Sequence, residues 1–231
     1  MKAPKDHSKS FPILRADTYQ AVCYTVVDLG THESEYNGEK YDRRLILITF
    51  EIPEERIEIE SDNGVENLPR VISWKGTFSM SSKSNLRPMM ESWRNKPFTD
   101  IEAYDFDFKQ LLGVNALIQV AHKEGNNNKI YAYIQSVNKP LKNMEKLKSE
   151  NPHIFFEFAP PYLDGQGFHF PEAMPDWIIS QIKESREYKD LSNMSYKSEE
   201  PQEENQSTSS SEPIQDMNEN NYMSGDDEPP F

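Results

Sequence analysis

Five stretches of β-branched and aromatic residues, interrupted once by a helical period, constrain this chain more than any other feature. They are residues 18–29, 43–52, 70–81, 114–124 and 129–137. Each has the length and composition of a strand, and the last two flank turn residues in the pattern of a hairpin. Between the third and fourth stretches the apolar period becomes helical, with a capping-box pattern from Thr99 to Glu102 and Gly113 beyond the last turn.

This order of three strands, a helix and two strands predicts a mainly β domain over residues 16–140. A βαβ sheet would need a helix after nearly every strand, and the tight hairpins argue against such a sheet. The order is that of a five-stranded OB-type barrel with a helix between strands 3 and 4, a fold that binds oligonucleotides or oligosaccharides. The sequence predicts a charged loop over residues 53–68.

Three further segments complete the predicted organisation. Residues 1–15 are predicted to be a flexible leader. Residues 141–191 are predicted to be a C-terminal extension that packs on the barrel or forms a dimer contact, with a short amphipathic helix beginning at Pro175. The whole chain has 39 Asp and Glu against 25 Lys and Arg. Much of this excess lies in residues 192–231, which are predicted to be a disordered acidic tail that interacts with partners.

The motifs argue against an enzyme and the composition argues against a membrane protein. The chain lacks a glycine-rich phosphate loop and a nucleophile motif, and its five histidines lack metal-ligand spacing, so no metal or other cofactor is predicted. Asp105 and Asp107 are candidates for a catalytic carboxylate pair, but solvated or helix-start charges explain them better. A single cysteine, Cys23, and the lack of a long apolar run favour a cytoplasmic protein.

Aromatic and basic side chains on the predicted barrel indicate a DNA-binding surface. If Ile130 and Ile134 point to the core, Tyr131 and Tyr133 point away from it, where bases can stack on them. Nearby cations can contact the phosphate backbone. The predicted DNA-binding residues are Tyr41, Arg43, Arg44, Lys75, Lys83, Arg87, Lys123, Lys129, Tyr131, Tyr133 and Lys139. Two alternatives stay open: the cations are ordinary solvated charges, or the extension covers the tyrosines.

Trp74 is a further aromatic candidate with two interpretations. It shares one face of the third predicted strand with Ile72, Phe78 and Met80, whereas Lys75 lies on the opposite face. This alternation favours a core position for Trp74, and base stacking stays open as the second interpretation.

The last six residues resemble the acidic tip of bacterial and phage single-stranded DNA-binding proteins. In the bacterial family the tip has three acids, a hydrophobic residue, a proline and a terminal phenylalanine. Pro229 stands here where isoleucine is usual. The matching residues are Asp226, Asp227, Glu228, Pro230 and Phe231. Residues 86–99 and 111–137 resemble a family of small phage-encoded proteins thought to bind single-stranded DNA.

The resemblance implies a protein that binds single-stranded DNA without sequence preference during phage replication or recombination. Its location would then be the cytoplasm of the host cell. Asp226 to Phe231, including Pro229 and Pro230, would recruit replication or recombination proteins, with Phe231 entering an apolar pocket on the partner. Whether the chain forms a homo-oligomer stays open. The alternative function is that of an acidic protein–protein adaptor or host-enzyme inhibitor that does not bind DNA.

Overall fold

Five antiparallel strands form the main sheet of the computed structural model, which describes residues 12–61, 64–125, 128–164 and 167–197. They are β1 (Thr18–Tyr36), β2 (Glu39–Ser61), β3 (Gly64–Thr77), β4 (Asn115–Glu124) and β5 (Ile130–Asn138). Their order across the sheet is β3-β2-β1-β4-β5. The sheet curls into a half-barrel, so that some Cα atoms of the edge strands β3 and β5 lie within 8 Å of each other. The prediction of a mainly β fold is confirmed.

The helical segment lies between β3 and β4, where the change of period predicts it. It consists of α1 (Leu86–Arg94), α2 (Asp100–Tyr104) and a 3-10 helix (Phe108–Leu111). The predicted capping box is present, because Thr99 and Glu102 each accept the backbone N–H of the other with their side chains. Gly113 follows the last turn at φ +78°, a left-handed conformation that glycine adopts readily.

One apolar core fills the half-barrel. Inward-facing strand residues such as Ile48, Phe50 and Ile118 are completely buried, and burial of such surface is the main favourable term in folding. α1 packs against this core through Trp93, whose ring centroid lies 5.2 Å from that of Phe50. The Trp93 Nε1–H donates to the carbonyl oxygen of Asn115, so the buried indole keeps a hydrogen bond.

The charged segment between the second and third predicted strands is a pair of strands. β2 and β3 continue past the barrel and pair from Arg56 opposite Pro69 to Ser61 opposite Gly64. The prediction of a loop over residues 53–68 is therefore wrong. The high charge obscured a period of two, because exposed acids alternate with the half-buried Ile57 and Ile59. We call residues 53–69 the acidic arm.

The C-terminal extension covers the outer face of β1 and β2. Its elements are β6 (Ile154–Phe156), β7 (Leu163–Asp164), β8 (Gly167–Phe168), α3 (Asp176–Lys183) and α4 (Arg186–Lys197). β6 pairs in parallel with β1, and α3 begins directly after Pro175, as the sequence predicts. α3 buries Ile178 and Ile182 against Leu29 and Leu47 in a second apolar cluster.

The described part of the chain ends within the predicted tail. α4 continues past residue 191, where the extension is predicted to end, to Lys197. The rest of the tail and residues 1–11 of the predicted leader lie outside the described residues. Within the described ranges, the helices are all too short or too polar to cross a membrane.

Polar contacts also fasten the extension to the sheet. The backbone N–H and hydroxyl of Thr31 both donate to the Glu187 carboxylate, at 2.6 Å each. Burial raises the pKa of Glu187, but the hydrogen bonds from Thr31 outweigh it and hold this pKa below its ordinary value. Gly30 allows β1 to approach Ser185 closely, because a Cβ at position 30 would lie 2.5 Å from the Cβ of Ser185.

Candidate nucleic-acid interface

The gap between the edge strands β3 and β5, which we call the seam, brings aromatic and basic side chains together. Two grooves lie along it, of about 350 Å³ and 430 Å³. Residues 70–73 line the first with residues 130–132 and with residues 12–14 of the N-terminal segment, and Trp74 lines the second with residues 134–137. In the described part of the chain no backbone ladder joins the two strands, so this edge of the sheet stays open.

The outer face of β5 carries Tyr131 and Tyr133 beside the seam. The intervening Ala132 packs on the core, whereas Tyr131 is 44% exposed and Tyr133 is half-buried. Lys123 lies opposite Tyr131 on β4, and its ammonium is 5.2 Å from the centroid of the Tyr133 ring. This distance is within the range of a cation–π contact. The hairpin therefore gathers three of the predicted DNA-binding residues, and the exposed Lys129 lies directly before β5.

The structure places Trp74 both on the core and in the seam. Its half-buried indole contacts the core cluster and lines the larger groove together with Pro88 and Met89 of α1. The six-membered ring of the indole lies across Gly76, where an added Cβ would overlap it. Gly76 lies two positions after Trp74 on the same face of β3. A glycine inside a strand is the sequence signal for such a close approach.

Two of the predicted cations at the start of β2 bind partners inside the protein. Arg44 pairs with Asp28, whose carboxylate is almost completely buried, and these hydrogen bonds raise the pKa of the Arg44 guanidinium. Arg43 donates from Nε and Nη2 to the Thr77 hydroxyl at 3.1 Å and 2.8 Å. Tyr41 is exposed but lies on the part of β2 that extends beyond the end of β3. These residues are therefore away from the grooves of the seam.

Arg87 connects α1 to α2 and is only 12% exposed. Its guanidinium lies 3.1 Å from the Glu91 carboxylate and 2.8 Å from that of Asp100. The backbone N–H of Phe98 and the Arg87 guanidinium lower the pKa of Glu91 below its ordinary value. Arg87 thus has a structural position, and its spacing from Glu91 is the usual one for a helical ion pair.

The other predicted cations lie at different distances from the grooves. Lys75 is exposed on the outer face of β3, and its ammonium donates to Gln181 of α3 at 3.2 Å. Lys83 is exposed in the turn before α1, and Lys139 is exposed directly after β5. Of the predicted cations, Lys75, Lys123 and Lys129 therefore lie on the strands or the hairpin that border the seam. Arg70 of β3, which is not among the predicted residues, lines the first groove and donates to the carbonyl oxygen of Pro12 at 2.6 Å.

The two aspartates considered for catalysis lie at the ends of short helices. Asp107 caps the 3-10 helix by accepting the backbone N–H of Lys109 at 2.8 Å, and Asp105 is exposed at the end of α2. Burial raises the pKa of the Cys23 thiol, which keeps it in the unreactive protonated form. Within the described ranges, His, Cys, Asp and Glu side chains form no group of three that could hold a metal ion.

The seam combines two properties that suit a single-stranded nucleic acid. Aromatic rings on both of its strands offer stacking surfaces, and lysines beside them offer positive charge to phosphates. Comparisons with known protein families, with characterised proteins and with solved structures find no match for this chain.

Proposed function

We propose that this chain binds single-stranded DNA without sequence preference through an OB-type barrel. The strand order β3-β2-β1-β4-β5 and the helices between β3 and β4 support this assignment. An OB-type barrel is a partly open five-stranded barrel, and the near approach of β3 and β5 corresponds to its point of closure. Trp74 and Tyr131, on the two sides of the seam, would then lie where the bases pass.

The position of the aromatic side chains at the seam is the observation that carries the proposal. Stacking on one aromatic side chain contributes about 1–3 kcal/mol per base and tolerates any base, because every base has a π face. Bases inside a duplex are already stacked and paired. The proposed site therefore favours single strands, and Lys75, Lys123 and Lys129 would hold the backbone beside the rings.

The C-terminal tip adds a recruiting role to the proposed function. Asp226 to Phe231 lie outside the described residues, so this part rests on their resemblance to the tips of bacterial and phage single-stranded DNA-binding proteins. The phenylalanine would enter an apolar pocket on a replication or recombination enzyme, and the acids would steer the encounter. A phage origin and a host-cytoplasmic location belong to the same proposal.

A titration at two salt concentrations tests the proposal. The full chain should bind labelled oligo-dT more tightly than a duplex of the same length. Three phosphate contacts, one for each of the three lysines, would reduce the affinity roughly 20-fold between about 50 and about 200 mM salt, because each contact releases counterions. A variant that lacks residues 226–231 should bind at least as tightly as the full chain. Oligo-dT binding that is absent at low salt, or equal for the duplex, would refute the proposal.

The acidic arm favours a second candidate, a protein–protein adaptor or host-enzyme inhibitor that does not bind DNA. Glu54, Glu58 and Glu60 are exposed along this pair of strands, and such a charge repels phosphates while attracting a basic protein surface. The same titration distinguishes the two candidates, because the adaptor would leave oligo-dT unbound at every salt concentration.

A further inference from the structure

A large apolar groove lies on the side of α1 that faces away from the seam. Its volume is about 620 Å³, and its apolar lining comes mainly from Met90, Trp93, Phe98, Phe106 and Leu111. α1 separates it from the seam, because Met89 lines the seam groove whereas Met90 and Trp93 line this one. Grooves of this kind bind apolar side chains of a ligand or a partner.

Exposed apolar side chains stand beside this groove. Ile101 is 77% exposed and lines the edge of the groove, and Tyr104 is 74% exposed. Both belong to α2 at a spacing of three residues, which places them on one side of the helix. Val114 is also exposed and lines the groove. The same surface therefore carries both projecting apolar side chains and a depression that can receive them. We call it the α2 surface.

Charges of both signs border the α2 surface. Arg94 stacks on the Phe98 ring at 4.0 Å from its centroid. Arg94 and Lys96 lie 3.7 Å and 3.3 Å from the same Glu102 carboxylate, so two cations share one acid of their own chain. Asp105 is exposed and also lines the groove. A surface with only one sign of charge would repel a second copy of itself, whereas this one can place its basic part against the acidic part of a copy.

We propose that a second copy of this chain docks on the α2 surface and forms a two-fold symmetric dimer. A two-fold interface requires one patch that is complementary to itself. If residue i of one copy contacts residue j of the other, residue j of the first copy also contacts residue i of the second. The α2 surface meets this condition in shape and in charge: Ile101 and Tyr104 of each copy enter the groove of the other. The seam stays open on the opposite side of α1, so the dimer would present two seams.

Sedimentation of the full chain without nucleic acid tests the dimer, independently of the proposed DNA binding. The natural chain should dissociate from dimer to monomer on dilution. The double variant Ile101→Asp/Tyr104→Asp should be monomeric at every concentration, because it would bury two charges without partners. Leu141→Asp is the matched control, since Leu141 is 68% exposed and lies outside the α2 surface. A natural chain that stays monomeric at the highest concentration, or a double variant that dimerises equally well, would overturn the proposal.

Cross-linking gives a second measurement that does not depend on charged substitutions. The only natural cysteine, Cys23, is completely buried, so an added surface thiol should be the one that reacts. With a short bis-maleimide, Tyr104→Cys should give a covalent dimer at concentrations where the natural chain dimerises. Leu141→Cys should stay monomeric. Equal cross-linking of the two variants would contradict a dimer through the α2 surface.

Discussion

Replacing Tyr131 and Tyr133 together by alanine will weaken the binding of oligo-dT by at least about 30-fold, the loss of about 1 kcal/mol per ring. Each ring stacks on one base in the proposed complex, and loss of one stack costs about 1–3 kcal/mol, where about 1.4 kcal/mol corresponds to a factor of ten. The lower bound applies if the half-buried Tyr133 contributes less than the more exposed Tyr131. Fluorescence anisotropy at low salt measures both affinities directly.

Two matched variants separate stacking from other effects of this substitution. Tyr131→Phe/Tyr133→Phe keeps both rings and should bind within about three-fold of the natural chain, because stacking requires the ring and not the hydroxyl. Leu141→Ala removes an exposed apolar side chain that lines neither the seam grooves nor the α2 surface, and should leave the affinity unchanged. If the alanine pair binds as tightly as the natural chain, bases do not stack on the outer face of β5.

Replacing Glu51 by alanine will lower the free energy of unfolding by about 3–5 kcal/mol, the sum expected when three hydrogen bonds to one buried side chain are lost. The Glu51 side chain is completely buried on β2. It accepts the backbone N–H of Glu150 at 2.7 Å, the backbone N–H of Asn151 at 2.9 Å and the side-chain amide of Asn151 at 2.6 Å. Alanine would leave these donors without an acceptor, and each unsatisfied buried donor costs about 1–3 kcal/mol.

Urea unfolding followed by tryptophan fluorescence measures this loss. Glu54→Ala is the matched control, because it removes an exposed carboxylate three residues further along the same strand and should change stability by less than about 0.5 kcal/mol. Similar unfolding midpoints for the two variants would show that Glu51 does not hold the segment around Asn151 to the sheet.

Strand positions and the direction of strand side chains are the features that the sequence predicts well here. A period of two specifies which residues face the core, so Tyr131 and Tyr133 are predicted on the outer face from Ile130, Ala132 and Ile134. The structure has both tyrosines there, but Ile130, at the start of β5, is 54% exposed and does not face the core. The same period of two is present in the acidic arm, but the charged composition of this segment leads to the wrong prediction. There the isoleucines alternate correctly, but the surrounding glutamates suggest a loop.

The roles of the charged residues are less accessible from sequence. The pattern around Arg44 and Arg87 is equally consistent with a phosphate contact and with an internal ion pair. The structure decides because it shows their partners, and Asp28 lies sixteen residues before Arg44 on the neighbouring strand. Glu51 is the extreme case, since its partner Asn151 is one hundred residues away.

The sequence by itself determined the apolar parts of the five main strands, the helical segment between β3 and β4, the capping box and the hairpin of β4 and β5. These depend on periodicity and on contacts between residues a few positions apart. Only the tertiary structure decided which side chains meet at the seam, which cations are already paired and which apolar surface remains exposed on α2. The curl of the sheet brings β3 to β5 and the extension onto β1 and β2, and such contacts between distant segments leave no local pattern.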